Sequence, residues 1–357
     1  MYQERIRRFQ GHLRADNLDS FIISRLVHIR YLCGFSGDTG LLIVDTKRAY
    51  LLCDSRFHEQ AKREVKGAKV ILTKSIPLVD LKDLKQFHGR NRRYGYEIDY
   101  LTCGELKTLG ENLGDVLLIP VSNSVESLAI IKDKAEFELV RKAVNIADTA
   151  YDRILGYVRP GLRENEVCAE LEYQMKMLGS DKPSFDTIVA SGYRSAMPHG
   201  VASDKKIAKG DFVIFDFGAT YKGYVSDITR TIVMGRATSR QKKTYNIVLK
   251  AQLAAIKKVK AGVNGPVVDS AARDIIDKAG YKKCFGHGTG HGIGIYIHVQ
   301  PNLGPRSKDI LKKGMIVTIE PGIYIPDWGG VRIEDDVLVT NSGCRVLNKA
   351  PKNLLEV

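Results

Sequence analysis

KGDFVIFDFG (209–218) is the stretch that decides the fold, because it recurs. KGMIVTIEPG (313–322) aligns on it without a gap. Lys, Gly and Val repeat, an apolar residue precedes the acid, and Gly closes each segment. Asp216 falls opposite Glu320, and both acids lie inside apolar runs that a strand would bury. A lone buried carboxylate is costly unless it is paired or bound to a metal. Each segment also leads to a second acid, Asp227 in GYVSDITR and Glu334 in GGVRIEDD. The pattern predicts two similar halves, each offering two carboxylates from successive strands.

The surrounding chain reads as helix, helix, sheet, twice over. Asp133 and Glu136 have the spacing of a capping box and open a helix to about 158, ahead of Pro160-Gly161. A second helix runs near 164–178 and ends at Gly179. Strands dominate 186–234, helices follow at about 239–260 and 266–279, and strands dominate again over 284–348. Residues 1–120 instead alternate short apolar runs with amphipathic ones. A helix at 3–15 places Ile6, Phe9 and Leu13 on one face. Strands are expected at 21–24, 41–44, 49–54, 69–72, 93–98 and 115–120, with helices near 56–66, 78–88 and 103–112. The expected fold is an α/β N-terminal domain over 1–122 and an α+β C-terminal domain over 123–357 with two pseudo-symmetric halves.

Composition narrows the function. The chain of 357 residues suits two domains. Six cysteines (33, 53, 103, 168, 284, 344) form no C-x-x-C pair, which suits reduced thiols and a cytoplasmic setting. The start, MYQERIRRFQGHLR, lacks the apolar core of a signal peptide. No run approaches the ~18 apolar residues of a membrane span. The net charge of +14 raises nucleic acid as a partner. The lysines, however, come as dispersed pairs, without a recognition-helix pattern, and a solvated basic surface accounts for them.

GHGTGHGIGIYIHVQP (286–301) carries His287, His291 and His298. The alternating glycines, each costing a helix about 1 kcal/mol against alanine, argue for extended chain. His287 and His291 would then share one face, with glycines letting other groups approach the backbone. Four acids brought together with this histidine would repel one another unless cations or protons compensated. Hard oxygens with one imidazole suit Mn²⁺, Co²⁺ or Zn²⁺.

In that order, Asp216, Asp227, His291, Glu320 and Glu334 resemble the five-ligand dimetal site of the pita-bread metallopeptidases: aminopeptidase P, prolidase and methionine aminopeptidase. SAMPHG (195–200), SDITRT, GHGTGHGIG, IEPGIY and VRIEDD carry the resemblance together. Residues 1–120 look like the creatinase-type N-terminal domain. The resemblance implies two divalent ions per chain, Mn²⁺ or Co²⁺ foremost, that activate water. Asp216 would hold one ion, His291 and Glu320 the other, and Asp227 and Glu334 would bridge both. It implies Glu320 as proton shuttle, with His199 and His298 polarising the scissile carbonyl. It places His287 in the outer pocket, Arg332 facing the cleft and Tyr324 behind the ligands. Asp335 is the alternative partner for Arg332. The sequence departs from the family at Tyr296 and Val299, beside His298 where an acid is common, and at Gly200, where alanine is common.

Such a chain would be an Xaa-Pro aminopeptidase acting on proline-containing peptides as a homodimer. RYLCGFSGDTGLLIV (30–44) and DSRFHEQA (54–61) look like aminopeptidase P in particular. The alternative is prolidase, which cleaves only Xaa-Pro dipeptides. Two further readings are a pita-bread module that binds peptide or nucleic acid without catalysis, and creatinase-like chemistry without metal. The complete ligand set speaks against both.

Overall fold

Thr102, Asp133 and Thr238 open helices by one device. Each side chain accepts a hydrogen bond from the backbone N–H three residues on, and Glu105, Glu136 and Gln241 answer at the cap backbone. A capping box satisfies two orphan donors at once, so these starts are legible in sequence. The computed structural model describes residues 1–357. It comprises two compact units, Met1–Ala129 and Ile130–Val357.

The first unit has helices α1 (Tyr2–Ala15), α2 (Leu26–Cys33), α3 (His58–Glu64), α4 (Pro77–Asp80), α5 (Cys103–Leu113) and α6 (Glu126–Ala129). Its strands are β1 (Ser20–Ile23), β2 (Leu41–Asp45), β3 (Ala49–Cys53), β4 (Lys69–Leu72), β5 (Arg93–Glu97) and β6 (Leu117–Val121). They form one sheet in the order β4-β3-β2-β1-β5-β6. Ile22, Ile43, Leu52, Tyr94 and Leu109 fill one core of this unit.

Two local readings change. The alternation of strands did not announce α2, whose LVHIRYLC is a short apolar run that periodicity cannot assign. The helix expected near 78–88 stops at Asp80 and continues as 3₁₀ turns Leu81–Asp83 and Lys85–Phe87. There the Asp80 carboxylate turns back to accept hydrogen bonds from Ser75 N and Ser75 Oγ, at 2.9 and 2.7 Å. The sequence reading divides the chain at 122/123, whereas the compact units divide at 129/130. Helix α6 belongs to the first unit, where Tyr100 OH donates to Glu126 at 2.7 Å.

The second unit begins with α7 (Lys134–Leu155) and α8 (Glu164–Met177), followed by β7 (Lys182–Pro183), β8 (Ile188–Ser191), β9 (Phe212–Phe217), β10 (Ala219–Tyr221), β11 (Tyr224–Val225) and β12 (Ile228–Val233). Helices α9 (Ser239–Ile256) and α10 (Gly265–Lys278) come next. The remaining strands are β13 (His291–Gly292), β14 (Val299–Asn302), β15 (Ile316–Ile319), β16 (Gly322–Ile325), β17 (Gly329–Arg332), β18 (Asp335–Val339), β19 (Cys344–Val346) and β20 (Leu355–Glu356).

The repeat is visible in the sheets. One sheet runs β20-β12-β9-β8 and the other β14-β13-β15-β18-β19. In each, the repeated segment (β9 or β15) pairs antiparallel with the strand that brings the second acid (β12 or β18). Helices α7 and α8 bury Ile146, Tyr151, Val167 and Leu171 against Phe215 and Ile232. Helices α9 and α10 bury Val248, Val268 and Ile276 with Val317 and Val337. No helix of the chain is long and apolar enough to cross a membrane.

The glycine-rich stretch is not one extended strand. His291–Gly292 pairs between β14 and β15, Val299–Pro301 belong to β14, and an irregular segment separates the two. A Cβ on Gly290 would lie 2.0 Å from Thr318 O, and one on Gly292 would lie 2.3 Å from Gln300 O. Glycine is needed at both positions because neighbouring backbones pass that closely.

Candidate active site

Strand register delivers the acids. Asp216 stands opposite Thr229 across β9 and β12, and Asp227 precedes β12 by one residue. Glu320 directly follows β15 and Glu334 directly precedes β18. His291 enters from β13. The ligand atoms of Asp227, His291 and Glu334 all lie within 4.8 Å of one another. His291 Nε2 lies 3.5 Å from Asp227 Oδ2 and 3.4 Å from Glu320 Oε1. Asp216 lines the same cleft of about 610 Å³, as do His199, His287, His298 and Arg332. Tyr324 stands behind them.

Hydrogen bonds fix the histidine protons. Burial first, then the neighbouring His298, lowers the His291 pKa to about 3, so this ring is neutral. Its Nδ1 lies 3.1 Å from Gly292 O, a contact that requires the proton on Nδ1. The Nε2 lone pair is therefore the end that faces Asp227 and Glu320. Burial first, then Arg332, lowers His287 to about 4. Its Nδ1 donates to Gly288 O at 2.8 Å, and Tyr324 OH donates to its Nε2 at 2.9 Å. His298 is exposed in the cleft, 4.3 Å from His291 between ring centroids, with a left-handed φ of 57°. That conformation is uncommon outside glycine and clusters at functional sites.

The acids are crowded. Burial raises the Asp227 pKa well above the usual carboxylate range, and the charges of Glu334 and Asp216 add to it. Burial and Glu320 do the same to Glu334. Burial raises Glu320 to about 7 against the opposing pull of Arg332. Glu334 Oε1 is buried without a hydrogen-bond partner. An imidazole lone pair aimed at carboxylates, together with an orphaned carboxylate oxygen, is a donor set suited to divalent cations.

Arg332 is buried and fully engaged. Its guanidinium contacts the Asp216 carboxylate, donates to Tyr324 OH at 2.7 Å and to Thr229 Oγ1 at 3.0 Å. The alternative partner, Asp335, is instead taken by Arg230 at 2.8 Å and Lys352 at 2.7 Å. Arg332 therefore belongs with the cleft acids.

Several supporting residues escaped the sequence reading. Glu164, fully buried at the start of α8, grips both ends of the segment that carries His199. It accepts from Ser191 N at 2.7 Å, Ser191 Oγ at 2.9 Å and Ser203 Oγ at 2.7 Å, and it pairs with Arg194. Arg194 in turn donates to Val201 O at 2.9 Å. On α10, Asp269 accepts from Thr289 N and Thr289 Oγ1 at 3.1 and 2.9 Å, and Arg273 donates to His287 O at 2.7 Å. In sequence Glu164 reads only as an acid in a first helical turn. Asp269 and Arg273 read as a surface pair four residues apart.

Comparison with known proteins places this geometry in context. Residues 138–341 match the model of metallopeptidase family M24, and residues 5–131 match the creatinase/prolidase N-terminal domain. The Xaa-Pro dipeptidase of Pyrococcus furiosus is 40% identical over 357 residues, covering 99% of this chain and 100% of that protein. Among solved structures, an Xaa-Pro dipeptidase from Bacillus anthracis superposes with a TM-score of 0.95 at 42% identity, covering 100% of both chains. An X-Pro aminopeptidase from Thermotoga maritima superposes with a TM-score of 0.90 at 36% identity, covering 96% of this chain and 99% of that one.

Proposed function

The chain belongs to metallopeptidase family M24, and from that premise we propose that it is an Xaa-Pro dipeptidase, hydrolysing the single peptide bond of dipeptides that end in proline. The observation that carries the reading is the neutral His291, its Nε2 turned onto Asp227 and Glu320. The substrate class is taken from full-length relatives named Xaa-Pro dipeptidase at 40% and 42% identity. The X-Pro aminopeptidase stands at 36%, so the dipeptidase goes ahead of the aminopeptidase that the sequence analysis put first.

Asp216, Asp227, His291, Glu320 and Glu334 would hold two divalent ions, Mn²⁺ or Co²⁺ by their hard oxygen donors, with Zn²⁺ also accommodated. Bound there, such ions supply Lewis acidity and bring the pKa of water from 15.7 towards ~7. Glu320 takes the proton of the attacking water and passes it to the leaving proline nitrogen. His298 and His199 reach into the cleft to donate to the oxyanion that develops on the scissile carbonyl. Tyr324 holds the His287 tautomer, and Arg332 restrains Asp216 and, through Thr229, Glu334. Six free cysteines suit a cytosolic setting, and the same reading takes the protein as a homodimer.

The test is a substrate pair. Ala-Pro should be hydrolysed with higher kcat/KM than Ala-Pro-Ala, and Ala-Ala should be a poor substrate. Preference for the tripeptide would restore the aminopeptidase reading.

A further inference from the structure

The chain leaves its sheet beside Asp216. Pro183 pairs with Ala219, and Ile188 pairs with Asp216. Between these rungs one chain runs through residues 184–187, while the facing chain has only Phe217 and Gly218. Ser184 N still donates to Gly218 O at 2.9 Å, so the surplus lies in Phe185, Asp186 and Thr187. Such an irregular link between two sheets frees its side chains from the alternation of a strand. Here Thr187 is buried, whereas Phe185 and Asp186 line the cleft.

Asp186 differs from every other acid in that cleft. Asp216 is engaged by Arg332, Glu334 by Thr229, and Asp227 and Glu320 face His291. Asp186 is exposed, and no hydrogen bond or ion pair within the protein engages its carboxylate. The cleft therefore presents one carboxyl group that is free to meet a ligand. Its place along the strand says which part of the ligand. Ile188, the first residue of β8, is directly across from Asp216, and Asp186 lies two residues before it in the chain. Two residues of extended chain reach ~7 Å. The substrate's α-ammonium is two bonds from the scissile carbonyl carbon and must stay beside the acid–histidine group. A lysine or arginine side chain can span the remaining distance, its stem covering an apolar wall while its head reaches a charge.

We propose that Asp186 is a specificity residue that receives the cationic side chain of a lysine or arginine at the first position of the dipeptide, with Phe185 packing beneath the aliphatic stem. This rests on the dipeptidase reading for the substrate's length but not for the charge preference. The ion pair contributes to binding in ground and transition state alike, so it acts on KM rather than kcat.

The experiment measures kcat/KM for Lys-Pro, Ala-Pro and Glu-Pro with wild type, Asp186→Asn and Asp186→Lys. In Asp186→Asn the Lys-Pro to Ala-Pro ratio should fall roughly fivefold, the scale of one partly exposed ion pair. In Asp186→Lys the preference should pass to Glu-Pro. Calorimetric binding of Lys-Pro and Ala-Pro to metal-free protein should show the same change in ratio. Equal losses on Lys-Pro and Ala-Pro would assign Asp186 to the α-ammonium or to the fold and overturn the proposal, as would an unaltered ratio. If wild type cleaves only tripeptides, the dipeptidase reading fails instead. The same ratio is then read from Lys-Pro-Ala and Ala-Pro-Ala, so the two failures remain distinct.

Discussion

Thr229 and Glu334 hold each other twice. Glu334 N donates to Thr229 O at 3.1 Å, and Thr229 Oγ1 donates to Glu334 Oε2 at 2.6 Å. One contact ties the two halves of the repeat together through backbone, and the other orients an acid of the site. Thr229→Val keeps the branched shape and the backbone contact, and removes the second together with the Arg332 contact to Thr229 Oγ1. It should weaken divalent-metal affinity roughly 10–100-fold, the usual cost of losing a group that orients a ligand. A Mn²⁺ titration followed by calorimetry reads this directly. Unaltered affinity would mean that packing alone holds Glu334.

Metal removal should make stability depend on pH. Folding raises the pKa of Asp227, Glu334 and Glu320, the last to about 7. An acid with a higher pKa folded than unfolded binds more protons in the folded state, so ionisation favours unfolding. The chelated protein should lose stability as pH rises from about 4, where unfolded carboxylates titrate, through about 7. Saturating Mn²⁺ should flatten or reverse that slope. Melting temperatures of chelated and loaded protein across the range check the sign, and a chelated Tm that climbs with pH would contradict it.

His298 should matter to rate and not to metal. If it donates to the oxyanion, His298→Ala lowers kcat by roughly 10²–10³ and leaves two ions bound per chain by elemental analysis. Loss of an ion would make His298 a ligand instead.

Glu164 should act through His199. Its carboxylate ties Ser191, Arg194 and Ser203, which bracket that histidine. Glu164→Gln should lower kcat more than it raises KM. In a His199→Ala background the same change should cost nothing further, because coupled residues are not additive. Ser203→Ala removes the Oγ contact and serves if Glu164→Gln fails to fold. Additive losses would show that Glu164 only supports the fold.

Much of this protein was legible in its sequence because the signals are local. A capping box spans four residues, so the start of α7 could be read from Asp133 and Glu136. The ten-residue repeat announced two halves, since a buried acid in an apolar strand is rare enough to be noticed twice. Glycine at 290 and 292 marked a close backbone approach before its partners were known. What tertiary structure alone decided is long-range. Arg332 contacts Asp216, 116 residues away in sequence, although Asp335 is the nearer candidate along the chain. The tautomers of His287 and His291 follow from neighbours such as Tyr324 and Gly292 O. The clamp at Glu164 and the link between sheets that sets Asp186 in the cleft depend on how distant strands pair. Hydrophobic periodicity reports which face of an element is buried, but it says nothing about which polar group stands opposite once distant strands pair.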